Sequence, residues 1–200
     1  MSNVRRQKES MRLIAKRLLF ISLLAAPVAT WAFFKPIRVL APELAGVTCT
    51  PAGLCVDDLA RLDEAIHLKD EAVQFVQSKV GSFKYVPRAI FCSSAKCAKS
   101  FGFTDNGAYN VGTSGLVIGP RGWHPYFVRH ELIHHVQNER IGSVTAWLLR
   151  PKWFIEGMAY SLSEDPRHPL PSPLEEWRAQ YEQWSSLVGF SNVWQQSETL

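Results

Sequence analysis

Residues 129–140 have the sequence "RHELIHHVQNER", which combines three histidines and two glutamates with an apolar pattern that predicts a helix. On a helix turning about 100° per residue, His130 and His134 lie roughly 40° apart, on one face and one turn from each other. Two imidazoles placed in this way can bind one cation. Glu131 lies about 100° round the helix from His130, where it can reach a water beside that cation. The pattern H-E-x-x-H therefore predicts two metal ligands and a general base.

The alternative is a polar helix face on which the histidines occur by coincidence. His135 fits such a face, because it lies about 140° from His130 and points away from the pair. We expect His135 to be structural. His124 followed by Pro125 is typical of a helix cap and first helical residue, and Gly142 is typical of a helix end. These signals place the whole motif on one helix.

A catalytic zinc site has three protein ligands and one open position, so a third ligand is needed. Glu139 is on the same helix, about one and a half turns past His134, and cannot fold back onto the metal. Glu156 lies 22 residues beyond His134, in "WFIEGMAYSLSED" on a second predicted helix that begins near Pro151. An antiparallel return would bring it alongside the first helix. A buried carboxylate among such apolar neighbours needs a partner, and a metal would supply one. The alternative is a surface glutamate, which the apolar neighbours do not favour.

The motif His130, Glu131 and His134, followed by "WFIEGMA", resembles the gluzincin branch of zinc metallopeptidases, the group containing thermolysin and the zinc aminopeptidases. The likeness covers roughly residues 100–165. It implies an α+β, zincin-like fold, with a small mixed sheet, an active-site helix and a helical C-terminal half. In such families an edge strand borders the cleft and pairs with an extended substrate, and residues 107–120 occupy the corresponding place.

The resemblance also implies an activity. One Zn²⁺ per chain would be bound by His130, His134 and Glu156, and a zinc-activated water would hydrolyse peptide bonds with Glu131 as general base. The chain departs from both parent families, because the second histidine or tyrosine motif of the thermolysin type and the aminopeptidase signature are missing. Tyr160 lies one turn after Glu156, and the sequence leaves open whether it faces the site or packs in the core.

Two other functions remain compatible with these residues. The first is a zincin-like domain that binds zinc without catalysing a reaction, and that would act in envelope assembly or in protein interaction. A purely structural site has no use for Glu131, which argues against that alternative. The second is hydrolysis of a non-peptide envelope substrate, which the sequence does not distinguish from hydrolysis of a peptide bond. We therefore expect a zinc metallopeptidase that acts on a peptide or protein substrate, in a short, membrane-anchored, bacterial-like form.

The N-terminus carries a predicted membrane anchor. Residues 1–17 contain six basic residues and one acidic residue, and the uncharged run "LLFISLLAAPVATWAFF" follows at residues 18–34. Its length is at the lower limit for a membrane-spanning helix. A cleaved signal peptide is the rival, with Ala32 at the tolerable cleavage site. We expect a single-pass inner-membrane protein with a cytoplasmic tail, and a periplasmic or extracellular domain of residues 35–200.

The charge distribution argues against a nucleic-acid partner. The net charge of the whole chain is +4, but residues 1–17 contribute +5. The rest of the chain has 16 basic and 17 acidic residues, a net charge of −1. Phosphate binding needs a basic surface on the folded part, which this composition does not supply.

The four cysteines agree with export. In an oxidising compartment the local pairing of Cys49 with Cys55 and of Cys92 with Cys97 is the natural one, and each bridge closes a small loop. The alternative is a four-cysteine zinc site, which usually has closer pairs such as C-x2-C.

The remaining elements follow from local patterns. A helix is predicted from Asp57 or Asp58 to Val80. "FKYVPRAIFCSS" predicts a strand in which Pro87 makes a central position unfavourable for the proline-containing part. The glycine-rich residues 102–122 predict hairpin or edge strands, and they lack the spacing of a phosphate loop. The last predicted helix places four residues on one face as a packing stripe: Leu174, Trp177, Tyr181 and Trp184.

Overall fold

A computed structural model describes residues 2–103 and 107–200. The helices are α1 (Ser2–Phe33), α2 (Leu62–Lys79), α3 (Ala95–Ser100), α4 (Pro125–Ile141), α5 (Ser143–Leu148), α6 (Lys152–Leu162), α7 (Leu174–Val188) and α8 (Val193–Gln196). The strands are β1 (Thr48–Cys49), β2 (Leu54–Val56), β3 (Ala89–Phe91), β4 (Ala108–Val111) and β5 (Gly115–Ile118). The five strands and the helices, of which α4 to α8 follow the last strand, confirm the predicted α+β class.

The five strands form one mixed sheet in the order β1-β2-β3-β5-β4. The three inner strands are parallel to one another, and an antiparallel strand closes each edge. β4 and β5 form the hairpin that the glycine-rich segment predicts, with β4 at the edge. The predicted strand around Pro87 is shorter than expected. It begins only at Ala89, and because the proline lies outside it, the strand can occupy the centre of the sheet.

The two faces of the sheet bury different side chains, because alternate residues of a strand point to opposite sides. Ala89 and Phe91 belong to a large core that includes buried residues of α2 and α4, whereas Ile90 packs in a second core. The second core contains both predicted disulfides. Cys49 is bonded to Cys55, which joins β1 to β2, and Cys92 is bonded to Cys97, which joins the end of β3 to α3.

The predicted α2 helix begins later than expected. The Asp58 carboxylate accepts a hydrogen bond from the backbone N–H of Ala60 at 3.0 Å, but it caps a 3₁₀ turn at Leu59–Arg61, and α2 starts at Leu62. The segment before Pro151 is also helical, and it forms α5 directly after Gly142.

The C-terminal helices are held by a close backbone contact. A Cβ atom at Gly157 of α6 would lie 2.2 Å from the carbonyl oxygen of Trp177 in α7, so only glycine allows this approach. The aromatic stripe on α7 packs against α6 as the sequence predicts. Tyr181 is buried, and the Trp184 ring lies 5.5 Å from that of Phe154. This packing fixes α6, which carries Glu156, against the rest of the domain.

The N-terminal helix α1 contains an apolar segment suited to a membrane. Within the part of the chain that the structure describes, residues Ile14–Trp31 form one helical window, with a mean hydropathy of 1.4, that is long and apolar enough to cross a bilayer. A signal sequence has the same properties. The predicted domain boundaries at residues 17 and 34, and the fate of the anchor, stay predictions.

Candidate metal centre

Helix α4 carries the H-E-x-x-H motif and is bounded as the sequence predicts. His124 is extended, with φ −138° and ψ 146°, and Pro125 is the first helical residue. Gly142 ends the helix at a φ of +88°, where a side chain would be strained. Because α4 contacts α2, α6 and the β4–β5 hairpin, both His130 and Glu131 are buried against the domain.

Helix α6 returns alongside α4 and brings Glu156 to the two histidines. The Nε2 atoms of His130 and His134 lie 3.0 Å apart. An Oε2 atom of Glu156 lies 3.6 Å from Nε2 of His130 and 3.5 Å from Nε2 of His134. The structure thus brings together the three predicted metal ligands.

The three ligand atoms fit a zinc ion. Atoms bound about 2.0–2.1 Å from one zinc ion in a tetrahedron lie about 3.3–3.4 Å from each other, close to the separations between these three atoms. Two imidazole nitrogens and one carboxylate oxygen are also the donor set of catalytic zinc sites. The group formed by His130, His134 and Glu156 can therefore hold a metal ion.

Strong electrostatic interactions link these groups. Burial lowers the pKa of His134, but the charge and hydrogen bond of Glu156, aided by Glu131 and Gln137, outweigh it and raise that pKa to about 9. Burial raises the pKa of Glu156, but the two histidines outweigh it and hold that pKa well below its ordinary value. The carboxylate and the imidazoles are thus mutually stabilising.

Glu131 lies beside the group and does not belong to it. Burial raises the pKa of its carboxyl above the ordinary value, and the charges of His130 and His134 oppose that shift only in part. The backbone N–H of Asn110, on the edge strand β4, donates a hydrogen bond that also opposes it. The base predicted from the sequence is therefore placed between the histidines and the edge of the sheet.

Gln137 was not predicted as a site residue, yet it orients His134. Its Oε1 atom lies 2.8 Å from Nδ1 of His134, and its Nε2 atom donates to the backbone carbonyl of Ile155 at 2.9 Å. Metal-binding histidines commonly use their second nitrogen in this way. The position three residues after His134 on the same helix is the signal that identifies it.

The side-chain amides of Asn138 and Asn110 join α4 to the edge strand. Nδ2 of Asn138 donates to the backbone carbonyl of His134 at 2.8 Å and to Oδ1 of Asn110 at 2.9 Å. Nδ2 of Asn110 donates to the backbone carbonyl of Glu131 at 3.3 Å. These bonds fix β4 against the face of α4 that carries the motif. Asn110 gives no sequence signal, because its partners lie more than 20 residues away.

His135 and Glu139 lie away from the group of His130, His134 and Glu156 and have a structural role. Nε2 of His135, a residue only 1% exposed, lies 3.1 Å from the carbonyl oxygen of Tyr85 and 3.2 Å from Oε1 of Glu139. The Glu139 carboxylate accepts the backbone N–H groups of Lys84 and Tyr85. The helix geometry predicts this orientation of His135.

Tyr160 faces the site. Its ring lies 4.4 Å from the ring of His130, centroid to centroid, in an edge-on arrangement. Burial, followed by the charge of Glu156, raises the pKa of its phenol to about 12. Of the two placements that the sequence leaves open, the structure has the one beside His130, in the lining of the cleft.

An open cleft of about 710 Å³ gives access to the centre. The edge strand with its flanking glycines, residues 107–112, lines the cleft together with His130, His134 and Glu156. Val144 and Trp147 of α5 line another part, and Phe34 and Pro36 line the end nearest to α1. The group is thus accessible to a ligand larger than water.

Comparison of the chain with protein-family models, with curated proteins and with solved structures finds no match. The resemblance to gluzincins therefore rests on the motif residues themselves.

Proposed function

We propose that the chain is a membrane-anchored zinc metallopeptidase of the gluzincin type. The observation that supports it best is the placement of Glu131, a buried carboxylate beside the convergent group of His130, His134 and Glu156, at the wall of an open cleft. A structural metal site uses all its ligand positions on protein atoms and needs no adjacent base.

Zinc bound by His130, His134 and Glu156 would supply Lewis acidity to a scissile carbonyl group and to a water molecule. Glu131 takes the proton from that water as general base. It then returns the proton to the leaving amine, which would otherwise depart as an unstable anion. Gln137 keeps the His134 ring in one orientation throughout, because its amide is itself bonded to α6.

The edge strand supplies the binding surface for an extended peptide. The backbone N–H of Gly119 donates to the carbonyl of Gly107 at 2.8 Å, so these residues form a hydrogen-bonded pair. Such pairs alternate along antiparallel strands, and Tyr109 therefore bonds to β5, while the backbone groups of Ala108 face away from it. A substrate strand that pairs with Ala108 would lie along the cleft.

Tyr160 is proposed as the donor to the oxygen that becomes negatively charged. Its ring contacts His130 and lines the cleft, so its hydroxyl belongs to the same space as the reacting carbonyl. A donor placed there stabilises the transition state more than the ground state. The location of the domain outside the inner membrane, with α1 as its anchor, is part of the same proposal.

The test uses the full chain in detergent with a pool of unrelated peptides. Glu131→Gln should keep about one zinc per chain and lose activity about 10²- to 10⁴-fold. His134→Ala should lose both zinc and activity, because one ligand of three is removed. The matched control is Glu176→Gln, an exposed position on α7, which should keep both.

Chelator should abolish cleavage by the wild-type chain, and added zinc should restore it. A wild-type chain that binds zinc and cleaves no peptide would favour the non-catalytic zinc-binding module. Full activity in Glu131→Gln would show that the proposed base is wrong.

A further inference from the structure

Helix α5 exposes an apolar surface beside the cleft. Val144, Trp147, Leu148 and Leu149, here called the α5 patch, are between 64% and 70% exposed, whereas Ala146 of the same helix is buried. Four large apolar side chains within six residues form a contiguous surface that water solvates poorly. A surface of this kind marks a site of contact with a membrane or with another protein.

Part of the α5 patch and the chain just after α1 line the same cleft. Val144 and Trp147 line the cleft together with Phe34 and Pro36. Phe34 directly follows α1, which ends at Phe33, and it lies three residues past the apolar window at Trp31. Three residues span at most about 11 Å, so a bilayer crossed by that window has its surface next to this end of the cleft.

The composition around the α5 patch suits a membrane interface. Tryptophan and leucine are the residues that interfacial helices insert between the headgroups and the acyl chains, with basic residues at the margin. Lys152 provides such a margin, because its Nζ atom lies 5.7 Å from the centroid of the Trp147 ring. The apolar stem of a lysine can lie along the ring while its charge stays at the headgroups.

We propose that the α5 patch inserts into the bilayer beside α1, so that the cleft opens at the membrane surface and takes polypeptides attached to the same membrane. The substrate class rests on the proposed peptidase function, whereas the contact with lipid rests only on the proposed anchoring by α1. A chain leaving the bilayer between α1 and α5 meets β4 directly and is cleaved just outside its membrane segment.

The first experiment measures lipid contact with the full chain in phospholipid vesicles. All four cysteines are in disulfides, so Leu148→Cys gives one thiol for an environment-sensitive fluorophore. Lipids that carry a quencher in the acyl chain should quench this label. Leu187→Cys is the matched control, since Leu187 is an apolar residue 80% exposed on α7 and is not part of the cleft lining.

Quenching at position 148 and none at position 187 supports the proposal. Equal quenching at both positions, or none at position 148, overturns it. A label at position 148 that is shielded from aqueous iodide but not quenched by lipid also overturns it, because a second protein copy then covers the α5 patch.

The second experiment compares one peptide in two forms, free in solution and attached to the vesicle by a lipid chain. Leu148→Ser/Leu149→Ser changes only exposed side chains outside the cleft lining. It should lower cleavage of the attached peptide at least roughly ten-fold, since two leucines leave the bilayer, and keep cleavage of the free peptide.

Equal losses on both peptides, or no loss on either, overturn the inference about the substrate. A wild-type chain that cleaves neither peptide while position 148 is quenched overturns the peptidase and the substrate class but supports the lipid contact. The two failures are therefore distinguishable.

Discussion

The side chain of Gln137 connects His134 to the helix that carries Glu156. Its Oε1 atom lies 2.8 Å from Nδ1 of His134, and its Nε2 atom donates to the carbonyl of Ile155 at 2.9 Å. Ile155 directly precedes Glu156 on α6. One buried amide therefore sets both the orientation of His134 and the position of Glu156.

Gln137→Met should lower zinc affinity by about 10- to 100-fold, because the His134 ring loses the acceptor that orients it. It should also lower the free energy of unfolding of the metal-free chain by about 0.5–1.5 kcal/mol, since the hydrogen bond to the Ile155 carbonyl is lost while that carbonyl keeps its place within helix α6. Competition with a chromogenic chelator measures the affinity, and urea unfolding measures the stability.

Gln137→Glu separates the two roles. A carboxylate keeps an acceptor for Nδ1 of His134 but cannot donate to Ile155, so zinc affinity should be retained while stability falls. Wild-type zinc affinity in Gln137→Met would contradict the orienting role.

Tyr160→Phe should lower kcat about 10²- to 10³-fold, with KM and zinc content little changed, because only the hydroxyl that stabilises the transition state is lost. Steady-state kinetics on a single peptide measure both constants. Tyr85→Phe is the control, since Tyr85 is 81% exposed and not part of the cleft lining, and should leave kcat unchanged. A rise in KM as large as the fall in kcat would assign Tyr160 to packing or substrate binding instead.

The convergence of His130, His134 and Glu156 could be predicted because each residue carries a local signal. His130 and His134 are one helical turn apart, and Glu156 is a carboxylate within an apolar helix that a short connection returns to α4. Both signals depend on periodicity and burial within a few turns of helix, which a sequence contains directly.

The supporting residues could not be predicted in the same way. Asn110 bonds to α4 across 21 and 28 residues, and that pairing exists only after β4 docks on the helix. The central strand Ala89–Phe91 has three residues, too few for a periodic pattern, so its parallel pairing with β2 and β5 follows from the packing of the whole domain.

Asp57 should make folding sensitive to acid. Its carboxylate accepts hydrogen bonds from the backbone N–H of Ser93 and from the N–H and Oγ–H of Ser94. Burial raises the pKa of Asp57, but these hydrogen bonds outweigh it and lower that pKa below its ordinary value. Because the folded pKa is lowered, the stabilisation is complete above pH about 4, the unfolded value, and is lost as the pH falls through the folded pKa.

Asp57→Asn should therefore lower stability at pH 7 by about 1–3 kcal/mol and show a smaller further loss between pH 5 and 3 than the wild type. Urea unfolding in detergent, followed by tryptophan fluorescence, measures both. Asp58→Asn is the matched control, because that exposed side chain caps only a local turn and asparagine caps equally well. An identical pH slope in wild type and Asp57→Asn would show that other groups cause the acid sensitivity.

Ala108→Pro tests whether the edge strand pairs with the substrate. Proline removes the N–H of Ala108, which faces away from β5, so the sheet should keep its hydrogen bonds and the zinc content should be unchanged. We expect kcat/KM on an extended peptide to fall about three- to ten-fold, the value of one lost hydrogen bond. Tyr109→Pro is the matched control, because its N–H bonds to β5 and its loss should destabilise the fold by about 1–3 kcal/mol. Unchanged kcat/KM in a folded, zinc-loaded Ala108→Pro chain would mean that substrates bind the cleft without pairing at this residue of β4.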